Sequence, residues 1–141
     1  MLENLLQPLP FAQLITALFL SVLFLQSGLD KIFDFAGNVS WLTGHFSKSP
    51  LRTQVKQMVI VITITEMLAG ALSLLGAARI AFYGDTHFAL YGAQVAAINV
   101  LLLFFGQRIA KEYVGAAVLV PYFILCISGV LLMSCSGTLC V

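Results

Sequence analysis

Charge is what this chain has least of. Only 9% of its 141 residues are Asp, Glu, Lys or Arg, against roughly 25% in a soluble domain. Hydrophobic residues make up 60% and the mean hydropathy is +1.01. That balance excludes a water-soluble globular domain and leaves the lipid bilayer as the solvent. The few basic residues rule out a nucleic-acid partner, and there is no low-complexity segment or internal repeat. Histidine is as scarce, with His45 and His87 the only two. They are predicted on opposite sides of the membrane, and no other cluster has metal-ligand spacing, so no metal site is expected. Haem, flavin and iron–sulfur ligand patterns are absent as well.

Of the three cysteines, Cys126 falls mid-helix and reads as a small apolar core residue. Cys135 and Cys140, in MSCSGTLC, lie at the outer end, where an oxidising compartment would permit a disulfide. C-x4-C is no recognised redox motif, so a structural or unpaired state is read ahead of catalysis.

What the chain does have is long apolar runs. Residues 11–29, 57–78, 88–107 and 114–134 hold one charge among them, Glu66. Each reaches the ~20 residues that cross a ~30 Å hydrocarbon core. The fold class is therefore all-α, an integral membrane four-helix bundle forming one domain over 1–141, with helices at about 11–33, 50–79, 86–108 and 112–135. The opening MLENLLQPLPFAQLITALFL has no Lys or Arg before its apolar part, carries Glu3 and shows no A-x-A-like cleavage site. It reads as an uncleaved first helix whose opening turn is marked by Pro8 and Pro10.

GNVSWLTGHFSKSP is too apolar for a solvated loop. A short helix or re-entrant segment lying at headgroup level is predicted over about 38–47, with Trp41 as an interfacial anchor. Ser49-Pro50 reads as the cap and first residue of the second helix, and Asp85 as the N-cap of the third. Pro121 falls inside the fourth helix and predicts a bend. Lys31, Lys48, Arg52, Lys56, Arg108 and Lys111 all fall on one side of the membrane, and only Arg79 on the other. This bias places the two charged loops in the cytoplasm and both termini outside. Lys48, Arg52 and Lys56, at i, i+4 and i+8, read as ordinary positive-inside charge facing anionic headgroups.

An ionisable group in the middle of a span is costly and calls for a partner or a proton. On the second span Thr63, Glu66, Gly70, Ser73 and Ala77 form one stripe of small and polar residues, which predicts that Glu66 points into the bundle. Counting inward from the charged ends puts Glu66, Asn99, Tyr122 and Ser21 at one level, about 15 Å deep, with no Lys or Arg beside them. The expectation is a neutral acid hydrogen-bonded to Asn99, Tyr122 or Ser21, serving either as a proton or ligand site or as a polar contact that fixes helix register. Gln26, Asp30, Lys31 and Asp34, joined by His45, form a candidate cytoplasmic-side rim, with Lys31 and Asp34 read first as a surface pair.

Two stretches, SGLDKIFDF and TEMLAGALSLLGAARI, carry a resemblance. Gly28 to Lys31 makes a G-x-x-K pattern closing the first helix. Glu66, Gly70, Ser73, Gly76 and Arg79 follow an E-x-x-x-G-x-x-L-x-x-G-plus-basic pattern, with Ser73 where an aliphatic residue is more usual. The chain thereby resembles the DoxX family of small four-helix bacterial membrane proteins. That resemblance implies a bacterial inner-membrane protein from a group that includes the small subunit of a thiosulfate:quinone oxidoreductase. A quinone is the cofactor it brings forward, and a membrane protein partner or a second copy the associate it suggests. Three roles follow in order: an accessory subunit of a quinone-linked or other redox system; a noncatalytic assembly factor or chaperone binding a partner's transmembrane helix; and a small-molecule transporter.

Overall fold

A computed structural model describes residues 2–135. A short α1 (Leu2–Leu5) precedes α2 (Pro8–Phe33), α3 (Phe35–His45), α4 (Val55–Tyr83), α5 (His87–Ile109) and α6 (Tyr113–Ser134). All elements among the described residues are helical, and α2, α4, α5 and α6 are long and apolar enough to cross a membrane. The protein is a multi-pass membrane protein. α4 packs most extensively on α2 and α5, α6 packs chiefly on α5, and the contact between α2 and α6 is slighter.

Small residues set these approaches. A Cβ added to Gly76 would lie 2.3 Å from the backbone nitrogen of Ala89, and one added to Gly92 would lie 2.8 Å from that of Ser73. At Gly70 the obstruction would be the Leu25 backbone nitrogen at 2.8 Å. Helices without a hydrophobic force between them associate through such close backbone contact. Leu20, Phe24, Ala69, Ala93, Ala96, Val100 and Cys126 fill the centre. The large side chains left outside, such as Phe11, Ile15, Phe19 and Val22 along α2, face the acyl chains.

The helix ends are closed by polar groups. Gly84, with φ +70°, terminates α4 in the left-handed conformation that glycine adopts freely. Asp85 follows. Its carboxylate contacts the His87 ring, accepts the His87 backbone N–H at 3.1 Å and pairs with Arg79 at 3.1 Å. These hydrogen bonds, those from His87 foremost, hold the Asp85 carboxyl down at about 2. At the end of α6, Gln13 Nε2 donates to the Leu132 carbonyl at 2.9 Å and Thr86 Oγ1 to that of Met133 at 3.0 Å, satisfying carbonyls that the helix cannot.

Three expectations need correction or adjustment. The second span does not start at Ser49-Pro50: α4 begins at Val55, with Gln54 as its N-cap. Ser49 does cap, but it caps a local turn, its Oγ accepting the Leu51 N–H at 3.2 Å and its carbonyl the Arg52 N–H at 3.2 Å. That turn folds Phe46 onto Val55 and Val59, and the buried cluster of these three decides where the helix starts. The N-cap of α5 is Thr86, one residue beyond Asp85, although the Asp85 carboxylate supplies the hydrogen bond. The connection after α2 is a short helix, α3, whose bounds shift to Phe35–His45 from about 38–47, and it lays Phe35, Val39 and Leu42 on the Phe46–Val55–Val59 cluster while Trp41 faces outward. α6 runs through Pro121 as one helix.

Candidate functional site

Thr63, Glu66, Gly70, Ser73 and Ala77 are all buried on α4. Glu66 is 2% exposed, and the group beside it is Lys31 of α2. Lys31 Nζ stands 3.1 Å from Glu66 Oε2 and donates to Oε1 at 3.2 Å. Ser27 Oγ donates to the same Oε1 at 3.2 Å and lies 3.2 Å from Lys31 Nζ, closing a three-membered polar cluster. Oε2 receives no aligned hydrogen bond and is balanced by the ammonium charge alone.

The local sequence explains the meeting. Ser27 and Lys31 are one helical turn apart and share a face, and Gly28 between them lets α4 approach. A Cβ there would meet the Met67 side chain at 2.6 Å. Gly70, one turn beyond Glu66, brings the α4 backbone against Leu25 in the same way. Gly28, Lys31, Glu66 and Gly70, which belong to two separate sequence patterns, thus form a single seam between α2 and α4.

Lys31 also lines a cleft of about 460 Å³ between the start of α4, the end of α5 and the turn after α3. Its walls are mainly apolar, including Leu42, Phe46, Met58, Ile62 and Phe105, with Gln54, Gln57 and Gln107 as the neutral polar members. Gln107 Oε1 is buried without a hydrogen-bond donor. Lys31 is the one charged residue on the cleft wall. Such a site can hold an apolar body and offer hydrogen bonds to a small polar head.

The remaining candidates fall as follows. Asn99 is fully buried, but its Nδ2 donates to Thr65 Oγ1 at 2.6 Å and to the Ile62 carbonyl at 3.2 Å rather than to Glu66. Ser21 is buried too, its hydroxyl donating to the Leu18 carbonyl at 2.7 Å. It lies six residues from Ser27, about 9 Å deeper along α2, so it does not share the level of Glu66. Tyr122 is 37% exposed on α6 and makes no hydrogen bond with the acid. The expected partner set is therefore corrected: Lys31 and Ser27 hold Glu66, and Asn99, Tyr122 and Ser21 do not. The sequence signal for Ser27 was its i, i+4 spacing to Lys31.

The rim divides in the same way. Gln26, Asp30 and Asp34 are exposed, while Lys31 turns inward. The surface pair of Lys31 with Asp34 is not formed, and the Asp34 carbonyl instead accepts Asn38 Nδ2 at 2.8 Å. His45, half-buried, stacks on Trp41 at 5.0 Å and meets Phe46 edge-on. Among the described residues no three His, Cys, Asp or Glu gather as metal ligands. Cys126 is buried. Cys140 lies outside the described residues, and the Cys135–Cys140 pairing with it.

Fold and site together define a small helical membrane protein with an ion pair buried between its first and second spans. The DoxX family model matches residues 12–105, a stretch containing Ser27, Lys31, Glu66 and the whole of α4. The chain belongs to the DoxX family. Searches of curated proteins and of solved structures return no match.

Proposed function

We propose that this protein is an accessory subunit of a quinone-linked or related redox system in a bacterial inner membrane, and that it holds a quinone-like headgroup beside Lys31. The observation that carries this reading is the double role of Lys31, which is paired with a buried carboxylate and also lines the cleft. Of the three N–H groups of its ammonium, two are held by Ser27 Oγ and Glu66 Oε1 at 3.2 Å, and the third, on the Ser27 carbonyl at a long 3.5 Å, is the one a carbonyl oxygen of the ligand takes over. The apolar walls take the ring and the first part of an isoprenoid tail, and the rest of the tail runs into the lipid. Glu66, behind the ammonium, gives a proton a residence next to the ligand oxygen. Electrons reach the ligand from a partner subunit.

The test is to purify the full-length chain from native membranes and analyse its organic extract and its co-purifying proteins. Quinone retained in near-stoichiometric amount, and lost on Lys31→Met, is the expected result. Absence of any quinone, together with a co-purifying partner that survives Glu66→Gln, would sink the redox reading. Loss of the partner on Glu66→Gln without any small ligand would instead identify an assembly factor.

A further inference from the structure

The cleft has one charged wall residue, and that charge is already answered. Lys31 Nζ faces Glu66 Oε2 at 3.1 Å and Oε1 at 3.2 Å, and Glu66 is 2% exposed, so no water separates or screens the pair from the Glu66 side. Every other polar wall residue, Gln54, Gln57 and Gln107, is neutral. We infer that the cleft admits neutral headgroups and refuses anionic ones, and that Glu66 is the residue that sets this preference. The inference rests on the reading of the cleft as a ligand site and adds the chemical class of what enters it.

The discrimination is electrostatic. An ammonium alone in an apolar cleft is a receptor for a carboxylate, sulfonate or phosphate, because a charge in low dielectric is stabilised chiefly by an opposite charge. With Glu66 directly behind it, much of that attraction is cancelled, because the carboxylate repels the entering anion from a few ångström further off, and what is left does not offset the cost of stripping water from an anion. A neutral head incurs no such cost and takes a hydrogen bond from Nζ in exchange for its long 3.5 Å contact with the Ser27 carbonyl. Arg52, Lys56 and Arg108 near the mouth are exposed, and salt and water screen their attraction for anions. The ligand class is thus a neutral amphiphile with a hydroxyl or carbonyl head: a quinone, its hydroquinone or a long-chain alcohol.

The experiment uses the full-length chain in phosphatidylcholine nanodiscs and two photoreactive dodecyl probes that differ only in the head, one a hydroxyl and one a sulfonate. Labelling is read by mass spectrometry at cleft residues such as Leu42, Met58 and Phe105, with decylubiquinone as competitor. Wild type is expected to take the alcohol, competed by the quinone, about tenfold better than the sulfonate, a modest fraction of what Coulomb's law permits at this range. Glu66→Gln, which leaves the ammonium unanswered, is expected to reverse the order. Where that variant does not fold, Glu66→Asp keeps the charge but draws the carboxylate back from the ammonium, and is expected to narrow the preference for the alcohol. Equal labelling of wild type by both probes would overturn the charge selectivity alone. Rejection of sulfonate by Glu66→Gln, or by Glu66→Asp in its place, as complete as in wild type would do the same, by showing that Glu66 is not the selector. If neither probe labels the cleft and decylubiquinone competes with nothing, the cleft is no ligand site, and the reading beneath the inference goes with it.

Discussion

Lys31 carries its charge away from the height at which its backbone stands. Counting residues from the membrane surface places α-carbons, but a lysine stem moves its ammonium by a full helical turn, and here it reaches down to a carboxylate instead of up to water. Removing one member of such a buried pair leaves the other uncompensated, whereas removing both is far cheaper. Lys31→Met is therefore expected to destabilise the fold by about 3 kcal/mol, and Lys31→Met/Glu66→Gln to recover most of that loss, measured as thermal midpoints in one detergent. A double variant no more stable than the single one would mean that the pair is not coupled. The burial of Glu66 was legible in the sequence because it shares a stripe with Gly70 and Ser73. Its partners were not, since Ser27 is inconspicuous and Lys31 was counted with the surface. Asn99 is buried but turns to Thr65 and Ile62, a choice of direction that spacing along one helix does not encode.

At the scale of the helices, glycine decides which neighbours can close up, and the consequences differ by what each glycine faces. A methyl group at Gly76 would press on the Ala89 backbone nitrogen at 2.3 Å and α-carbon at 2.5 Å, which yield only if α4 and α5 separate. At Gly28 the first obstruction is the Met67 sulfur at 2.6 Å, the far end of a flexible side chain. Gly76→Ala is accordingly expected to cost about 2 kcal/mol, within the usual range for overpacking, and Gly28→Ala clearly less, with thermal melting of the two variants side by side as the check. Equal losses would show that backbone contact does not govern the α4–α5 seam. The four spans and the all-helical class were readable because a ~20-residue apolar run has few other uses. The start of α4 was misplaced because a serine–proline cap signals any turn. Only the burial of Phe46, Val55 and Val59 in one cluster, a tertiary fact, fixes the boundary.

For the molecule as a whole, the distribution of cations gives the two ends different characters. Arg79, alone at its end, is held by Asp85 at 3.1 Å and lies over the rings of Tyr83 and Phe88 at 5.0 and 5.4 Å, so its charge is absorbed within the protein. At the other end Lys48, Arg52, Lys56, Arg108 and Lys111 are exposed; Arg108 lies over the Tyr113 ring at 4.6 Å, but none of the five joins an ion pair among the described residues. Free cations near the span ends resist translocation, and the side that holds them stays in the cytoplasm. Lys31, neutralised by Glu66, no longer counts toward that bias once the bundle has formed, yet five exposed cations against one paired arginine still predict the same orientation. A periplasmic alkaline phosphatase fused after Val141 is expected to be active, and the same enzyme inserted after Lys48 to be inactive. The opposite pattern would invert the molecule and place the mouth of the cleft, with Gln54 and Gln107 on its wall, on the outer face of the membrane.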